Sequence, residues 1–325
     1  MGETMRVIEH GEGGAPEVLR LGQRPRPEAG PGEVVVRVSA AGVNGPDLMQ
    51  RRGLYPPPKG ASDLLGLEVA GEVVALGEGV TRWSVGERLC ALTNGGGYAE
   101  YVAIQAEHCL GLPEGVSEQD AAGLCETYFT VWSNLFHPEV PPKGARLLVH
   151  GGAGGIGSTA IQLGVALGLE VFATEGSAEA CAFCEALGAT AIDYRSEDFV
   201  GVVRGAGGAD LILDIVGGDY VARNIKAARA DARIVQLAFN AGSRVEIDLM
   251  PVMLKRLSYT GSTLRSRPDA FKAAIARALE AHVWPLFGQG LLKSVTDRRF
   301  ALEDAAAAHT LMESAGHRGK LLLMP

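Results

Sequence analysis

The sequence lacks the features of three protein classes: membrane-spanning proteins, secreted disulfide-rich proteins and nucleic-acid-binding proteins. No apolar run in the 325 residues reaches the length of a membrane span, and the N-terminal stretch has no signal-peptide core. The five cysteines are an odd number without a framework pattern, which favours a reducing compartment. The net charge is −8 and no basic run occurs, so the charge pattern does not favour nucleic acid or anionic membranes. The composition therefore predicts a cytoplasmic protein without nucleic-acid or membrane partners.

The chain has 325 residues, which is more than a single hydrophobic core usually accommodates, so two domains are expected. The first part contains short strands bounded by glycine, at residues 32–40, 71–76, 87–92 and 98–104. In the first of these, Val34, Val36 and Val38 alternate with more polar positions, which is typical of a half-buried strand. The spacing predicts a small, mostly antiparallel, barrel-like domain.

From about residue 117 the pattern changes to alternating strands and helices. The cap signal Ser117-Glu118-Gln119-Asp120 predicts a helix that continues through Tyr128. Further strands are predicted at 145–150, 170–174, 209–214 and 233–237, and further helices at 155–167, 178–187 and 220–228. This βαβ alternation predicts a doubly wound parallel sheet in an α/β protein. The tail has a strand at 295–300, a helix at 302–314 and a strand at 320–324, and it is expected to return to the first domain.

A glycine cluster follows the first of these parallel strands, and its glycines fit the G-x-G-x-x-G spacing. In a strand-to-helix turn, such glycines permit a tight bend and let the backbone approach a pyrophosphate at the positive end of the helix. A glycine-rich loop alone is a weak signal, but its position in the βαβ alternation favours a dinucleotide site over a plain turn. The predicted phosphate-binding residues are Gly152, Ala153, Gly154, Gly155, Ile156 and Gly157.

Short motifs occur in a fixed order along nearly the whole chain. They are Ala40-Ala41-Gly42-Val43-Asn44-Gly45-Pro46-Asp47, Arg52-Gly53-Leu54-Tyr55-Pro56, Leu65-Gly66-Leu67-Glu68-Val69-Ala70-Gly71, Gly96-Gly97-Tyr98-Ala99-Glu100-Tyr101, the glycine cluster, Leu187-Gly188-Ala189, Leu213-Asp214-Ile215-Val216-Gly217-Gly218 and Gly319-Lys320-Leu321. The set resembles the medium-chain dehydrogenase/reductase superfamily, specifically the zinc-free, zeta-crystallin-like quinone oxidoreductases. Two further segments, Leu48-Met49-Gln50-Arg51 and Leu264-Arg265-Ser266-Arg267, resemble the branch of the p53-inducible quinone reductase.

This resemblance implies a domain organisation and an assembly. The first domain is expected to be GroES-like, formed by residues 1–122 and completed by residues 265–325. A Rossmann domain is expected at residues 123–264, with the nucleotide in the cleft between the domains. The resemblance also implies a homodimer, whose interface includes the apolar stretch 247–259.

The resemblance bears on metal binding as well. Zinc-dependent relatives have a Cys at the position of Asn44 and a Gly-His-Glu triplet at the position of Gly66-Leu67-Glu68. Leucine cannot bind zinc, and a catalytic zinc needs three protein ligands. The C-x-x-C string from Cys181 to Cys184 lies in a predicted helix without a second pair, so we interpret it as two small residues of a packed helix. No metal is expected.

Without zinc, the choice of hydride acceptor is constrained. A simple ketone would give a basic alkoxide that needs zinc or an acid, whereas a quinone or conjugated enone gives a delocalised phenolate or enolate. The family places Asn44, Tyr55 and Asp47 near the cleft, and contact with substrate or nicotinamide is expected for Asn44 and Tyr55. Asp47 is either catalytic or a helix cap. The segments around Asn44 and Tyr55 also suit ordinary turns.

Cofactor choice is where the sequence departs from its relatives. Family members usually prefer NADPH, bound by a Lys, a Ser or Thr and a Tyr; Ser177 and Tyr194 match, but the lysine is missing. Glu175 lies near the roughly 20-residue offset of the acid that binds a ribose hydroxyl in NAD enzymes, and a carboxylate there repels the phosphate unless an arginine compensates. We expect NADPH from family precedent, with NADH as the alternative because of Glu175. The other cofactor residues implied by the resemblance, near the nicotinamide, are Thr130, Phe239 and Asn240.

The expected function is hydride transfer from NAD(P)H to a quinone or other conjugated carbonyl. One alternative is the reduction of an enoyl thioester, whose nucleotide tail would need a basic patch along the cleft. Another is a non-catalytic, crystallin-like binding role. The acidic charge and the intact glycine loop favour catalysis over that role.

Overall fold

The computed structural model describes residues 3–325, and these residues form fifteen strands. The strands are β1 (Thr4–Glu9), β2 (Arg20–Pro25), β3 (Glu33–Val43), β4 (Glu68–Leu76), β5 (Arg88–Leu92), β6 (Tyr101–Gln105), β7 (Cys109–Gly111), β8 (Arg146–His150), β9 (Glu170–Glu175), β10 (Thr190–Asp193), β11 (Ala209–Asp214), β12 (Ala228–Gln236), β13 (Ser258–Gly261), β14 (Thr296–Ala301) and β15 (Lys320–Met324).

The same residues form eleven α-helices, most of them short. The helices are α1 (Gly45–Arg51), α2 (Glu118–Ala121), α3 (Cys125–Val131), α4 (Gly155–Ala166), α5 (Ala178–Ala186), α6 (Phe199–Gly205), α7 (Tyr220–Ala227), α8 (Met250–Leu254), α9 (Asp269–His282), α10 (Trp284–Gly288) and α11 (Ala305–Glu313). A π-helical turn, Trp132–Phe136, follows α3. None of the helices in this part of the chain has the length and apolar character needed to cross a membrane.

The chain divides into two compact units: the chain up to Phe129 together with Arg265–Pro325, and Thr130–Leu264. The first unit is built on a seven-stranded sheet in the order β14-β15-β3-β4-β5-β7, with β6 also paired to β3. Its C-terminal strand β15 pairs antiparallel with β3. Val34 and Val36 point to the same face of β3 because side chains alternate along a strand, and they enter the core with Leu323.

The second unit is a sheet of six parallel strands in the order β10-β9-β8-β11-β12-β13. The chain builds outward from β8 to β10 on one side and then from β11 to β13 on the other. The order therefore reverses between β8 and β11, which is the switch point where ligands bind in open α/β sheets. Both β8 and β11 are almost fully buried, because helices cover a parallel sheet on both faces.

The predicted β-rich domain and the predicted doubly wound parallel sheet are both confirmed. The single helix expected to run through Tyr128 is wrong: α2 and α3 are separated by a turn at residues 122–124 with i→i−3 hydrogen bonds. Gly123 in this turn packs closely against Lys320, and glycine is a weak helix former. The sequence does not predict β10 or β13, because each has only four residues and β13 is exposed throughout.

Candidate functional site

The glycine loop, residues 151–157, connects β8 to α4. Gly151 has a φ of +72°, a left-handed conformation that favours glycine. Helix α4 begins at Gly155, and its first i→i−4 hydrogen bond runs from the Ser158 N–H to the Gly154 carbonyl. The three N–H groups before Ser158 therefore have no partner within the helix. Together with the helix dipole, they form a site suited to an anion such as a pyrophosphate.

The glycines of this loop differ in what they do. A Cβ at Gly157 would lie 2.1 Å from the Gly151 carbonyl oxygen, and one at Gly152 would lie 2.7 Å from the Cys184 sulfur. A Cβ at Gly154 would have only the Gly151 oxygen nearby, at 3.8 Å, and the φ of Gly154 is an ordinary −73°. The fold therefore requires Gly152 and Gly157, whereas Gly154 leaves open space where a ligand can approach the backbone.

The residues expected around the ribose lie at the ends of neighbouring strands. Glu175 Oε1 accepts a hydrogen bond from the Ala153 N–H at 2.6 Å, so this carboxylate is directed at the glycine loop. The Ser177 hydroxyl caps α5. Tyr194 follows β10 and is 45% exposed, and its N–H donates to the Glu175 carbonyl at 3.0 Å. The structure therefore brings Glu175, Ser177 and Tyr194 together next to the glycine loop, with exposed Arg195 following Tyr194.

A buried hydrogen-bond chain fixes the strand ends around the loop. His150 contacts Thr174 Oγ1 through Nδ1 at 2.8 Å and Asn224 Oδ1 through Nε2 at 2.7 Å. Asn224 donates in turn to Asp214 Oδ2 at 2.9 Å, and Asp214 Oδ1 accepts the Gly217 N–H at 3.0 Å. Burial lowers the pKa of His150 to about 4, so the ring is neutral at pH 7. His150 therefore joins strand ends and does not line an open site.

The three residues expected near the nicotinamide belong to the second unit. The Thr130 hydroxyl has no hydrogen-bond partner within residues 3–325; Asn134 binds the Thr130 carbonyl oxygen instead, at 2.8 Å. Phe239 is 48% exposed, and the Asn240 N–H donates to the Ile215 carbonyl at 3.2 Å. The loop after β12 therefore lies against the loop after β11, at the carboxyl ends of the parallel strands.

In the first unit, Asn44 and Asp47 lie at the start of α1. Asp47 accepts the Asn44 N–H and the Gly66 N–H, each at 2.9 Å, one on each carboxylate oxygen. Burial raises the pKa of Asp47 to about 6, although both N–H groups favour the charged form. These contacts are those of a helix cap that also anchors the loop at Gly66.

Glu68, on β4, is fully buried and binds groups from three other segments. Its Oε1 accepts from Asn44 Nδ2 at 2.9 Å and from Lys320 Nζ at 2.7 Å, and its Oε2 accepts the Glu126 N–H at 2.8 Å. Lys320 also donates to Asn44 Oδ1 at 2.5 Å and to the Val43 carbonyl at 3.1 Å. An ammonium has three N–H donors, so Lys320 has none left for a ligand. The polar cluster is defined as Asn44, Asp47, Glu68, Glu126 and Lys320.

Tyr55 and Arg265 lie near this cluster, where a negative charge on Glu126 favours the protonated form of both side chains. The Arg265 guanidinium lies 5.8 Å from the centre of the Tyr55 ring and donates to the Asn94 carbonyl and to Gln50 Oε1. Burial raises the pKa of Tyr55, so its phenol keeps its proton at neutral pH. Because no group within residues 3–325 hydrogen-bonds to the Tyr55 hydroxyl, it is available as a donor.

The polar cluster does not fit a zinc ion. Leu67 is buried and offers no ligand atom, and the Lys320 ammonium already binds the oxygen atoms of Asn44 and Glu68. In the part of the chain that the structure describes, no group of three or more His, Cys, Asp or Glu side chains could hold a metal ion. The donor set is therefore that of an internal ion pair.

Sequence reasoning did not select Glu68, Glu126, Arg265 or Lys320 as site residues. Each is a charged residue that is at most 9% exposed. Glu68 and Lys320 adjoin apolar residues on their strands, and a charge in such a run signals a buried partner. The signal does not identify that partner, because Lys320 and Asn44 are 276 positions apart.

The open space at Gly154 gives a test of the glycine loop. We expect Gly154→Val to fold normally and to weaken NADPH binding at least about tenfold, because the side chain would occupy the approach path of the pyrophosphate. Gly157→Ala is the comparison variant for a glycine that the fold requires. Its Cβ would clash with the backbone of Gly151, so the melting temperature should fall. Calorimetric titration and thermal unfolding measure both effects. Unchanged NADPH affinity in Gly154→Val would show that the loop is only a turn.

Both units resemble known protein domains. An alcohol dehydrogenase GroES-like domain model matches residues 30–114, and a zinc-binding dehydrogenase model matches residues 155–280. Quinone oxidoreductase from Rattus norvegicus is 30% identical over 331 residues, which cover 99% of this chain and 98% of that protein. These matches confirm that the chain contains a GroES-like domain and a Rossmann domain, as expected.

Solved structures agree. Escherichia coli quinone oxidoreductase, complexed with NADPH, superposes with a TM-score of 0.86 at 27% identity, covering 99% of this chain and 100% of that one. The CurK enoyl reductase gives a TM-score of 0.85 at 26% identity, covering 98% and 99%. The chain therefore belongs to the medium-chain dehydrogenase/reductase superfamily, among its quinone oxidoreductase-like members.

Proposed function

We propose that this protein is an NADPH-dependent reductase that transfers hydride to a quinone or another conjugated carbonyl, without zinc. The proposal rests on the Lys320 ammonium in the polar cluster. Its three N–H groups bind oxygen atoms of Val43, Asn44 and Glu68, so none is left for a substrate. A group so bound cannot polarise the carbonyl of a substrate. We therefore propose an acceptor that itself disperses the negative charge that hydride transfer creates.

The remaining donors suit a delocalised oxyanion. The Tyr55 hydroxyl is protonated and unpaired within residues 3–325, so it can donate to a phenolate or enolate oxygen. Asn44 is bound at both ends of its amide, by Lys320 and Glu68, so its role is to present a fixed polar surface to the acceptor. Asp47 supports this surface through its two backbone contacts.

The cofactor proposal rests on the glycine loop and on the relatives. We propose that residues 152–157 bind the pyrophosphate, Ser177 and Tyr194 the ribose end, and Thr130, Phe239 and Asn240 the nicotinamide end. The complex of the Escherichia coli relative with NADPH supports that cofactor. Glu175 opposes it, because its carboxylate is held beside the loop by the Ala153 N–H. NADH should therefore be accepted as well.

Reduction of an enoyl thioester is the second candidate. The similarity to the CurK enoyl reductase favours it, and an enoyl thioester gives the same kind of delocalised enolate as an enone. A small enone therefore tests the chemistry that both candidates share. A non-catalytic binding role, the third possibility, predicts no turnover with any acceptor.

The acceptor is tested with cyclohexenone and cyclohexanone, which differ in conjugation alone, and with menadione as a quinone. With NADPH, cyclohexenone and menadione should be reduced at least about a hundredfold faster than cyclohexanone, because only the first two give delocalised anions. Initial rates of NADPH oxidation, before and after treatment with a chelator, measure this. The chelator should leave the rates unchanged. Equal rates on both ketones, or activity lost together with one zinc per chain, would contradict the proposal.

Cofactor choice is tested at Glu175. We expect Glu175→Ala to raise the ratio of kcat/KM for NADPH to that for NADH by about tenfold, since a charge repelling the 2′-phosphate is removed. Glu170→Ala, at the other end of the same strand, is the control and should leave the ratio unchanged. A constant ratio in both variants would mean that Glu175 does not face the 2′-position.

We also propose a homodimer formed through the second unit. Strand β13 is the edge of the parallel sheet, and apolar side chains are exposed next to it, including Met250 at 55%, Met253 at 65% and Leu254 at 66%. An unpaired edge with an apolar patch is suited to pairing with the same edge of a second copy.

Light scattering tests this assembly. The native protein should have the mass of a dimer, and Met253→Asp should shift it to the monomer, because a charge would be buried in the interface. Leu291→Asp introduces the same charge at an exposed site of the first unit and should keep the dimer. A native monomer would contradict the assembly.

A further inference from the structure

Glu126 carries a buried carboxyl group that has no role in the function proposed above. It lies in the first turn of α3 and is 9% exposed. Its backbone N–H donates to Glu68 Oε2 at 2.8 Å, which fixes the residue against the polar cluster. Neither side-chain oxygen of Glu126 has a hydrogen-bond partner within residues 3–325. Burial of this residue disfavours the ionised carboxylate, so its environment favours the neutral acid.

The charged groups around Glu126 come from four other segments. Glu68 on β4 and Asp47 on α1 oppose its ionisation, whereas Lys320 on β15 and Arg265 before α9 favour it. The backbone N–H of Glu126 binds Glu68, which also binds Asn44 and Lys320, so the acid belongs to the same buried cluster. Once Glu126 has lost its proton, its negative charge favours the charged forms of Arg265 and Lys272.

We propose that Glu126 donates the proton that the reduced acceptor takes up after hydride transfer; this rests on the proposed reductase function. Hydride adds to the β-carbon of an enone, the π electrons move towards oxygen, and NADPH becomes NADP⁺. The α-carbon of the enolate then takes the Glu126 proton, which restores the carbonyl and gives the saturated ketone, and the carboxylate regains a proton from water at its exposed edge. With a quinone, the same proton converts the quinol anion into the hydroquinone.

A predicted pH dependence accompanies this role. Burial, with help from Glu68 and Asp47, raises the pKa of Glu126 to about 8, so the acid form dominates at neutral pH. Because the reaction uses the protonated form, kcat/KM should be constant below this pKa. It should fall about tenfold per pH unit above it.

The test uses Glu126→Gln, which keeps the shape of the side chain but has no proton to transfer. With NADPH and cyclohexenone, kcat/KM should fall by about a hundredfold or more, and the decline above pH 8 should disappear. The loss should be smaller with menadione, whose quinol anion is the weaker base. NADPH affinity and melting temperature should stay near the wild-type values.

Two other variants separate chemistry from structure. Glu17→Gln makes the same change at an exposed position without a resolved partner and should behave like the wild type. Tyr55→Phe should lower kcat/KM but keep the decline above pH 8, because it removes a hydrogen-bond donor and leaves the acid in place.

The outcomes separate this inference from the function on which it rests. Absence of wild-type turnover with both acceptors would overturn the reductase proposal and this one together. Wild-type turnover with an unchanged rate and pH profile in Glu126→Gln would overturn the role of Glu126 alone. The wild-type profile is an independent check that needs no variant: a constant kcat/KM through pH 9 would also overturn it.

Discussion

The buried carboxylate of Glu68 is the constraint on which the first unit depends. An ion removed from water must be paired and fully hydrogen-bonded, or the cost in free energy is several kcal/mol. Glu68 meets this demand with Lys320, with Asn44 and with the N–H of Glu126, and these partners come from β15, the start of α1 and the start of α3. Within the cluster, the hydrogen bond from Lys320 to Asn44 joins residues 276 positions apart. Strand β15 is therefore part of the polar cluster as well as of the sheet.

The second unit meets a different constraint, because the anion site proposed at its glycine loop consists of backbone N–H groups. Free N–H groups at the start of α4 are useful only if the surrounding strand ends stay in place. His150, Asn224 and Asp214 provide this: a neutral imidazole links β8 to β9 and α7, and the carboxylate then holds the loop after β11. These buried side chains thus set the positions of the loops at the carboxyl ends of the parallel strands.

Much of the fold follows from the sequence because periodicity is a local property. Strands β3, β8, β11 and β15 and helices α4 and α5 are evident from apolar spacing and glycine boundaries alone. The break between α2 and α3 is not, since it depends on Gly123 packing against Lys320 on a distant strand. The candidate site residues likewise fall into those that the sequence predicts and those that it does not. The glycine loop is a local pattern, whereas the partners of Glu68 and the burial of Glu126 exist only after the chain has folded.

The Lys320 ammonium in the polar cluster differs from a metal ion in what it can do at a site. A zinc ion can exchange a ligand and accept the oxygen of a substrate, but the Lys320 ammonium cannot once its three protons are bound by the protein. The ammonium is bound to protein oxygens on all sides and stabilises the fold. In the reductase that we propose, the groups left for the reacting molecule are the Tyr55 phenol, which can hydrogen-bond, and the Glu126 carboxyl group, which burial keeps neutral. In that proposal, the dispersal of negative charge is left to the acceptor, and the two protonated groups complete the reduction.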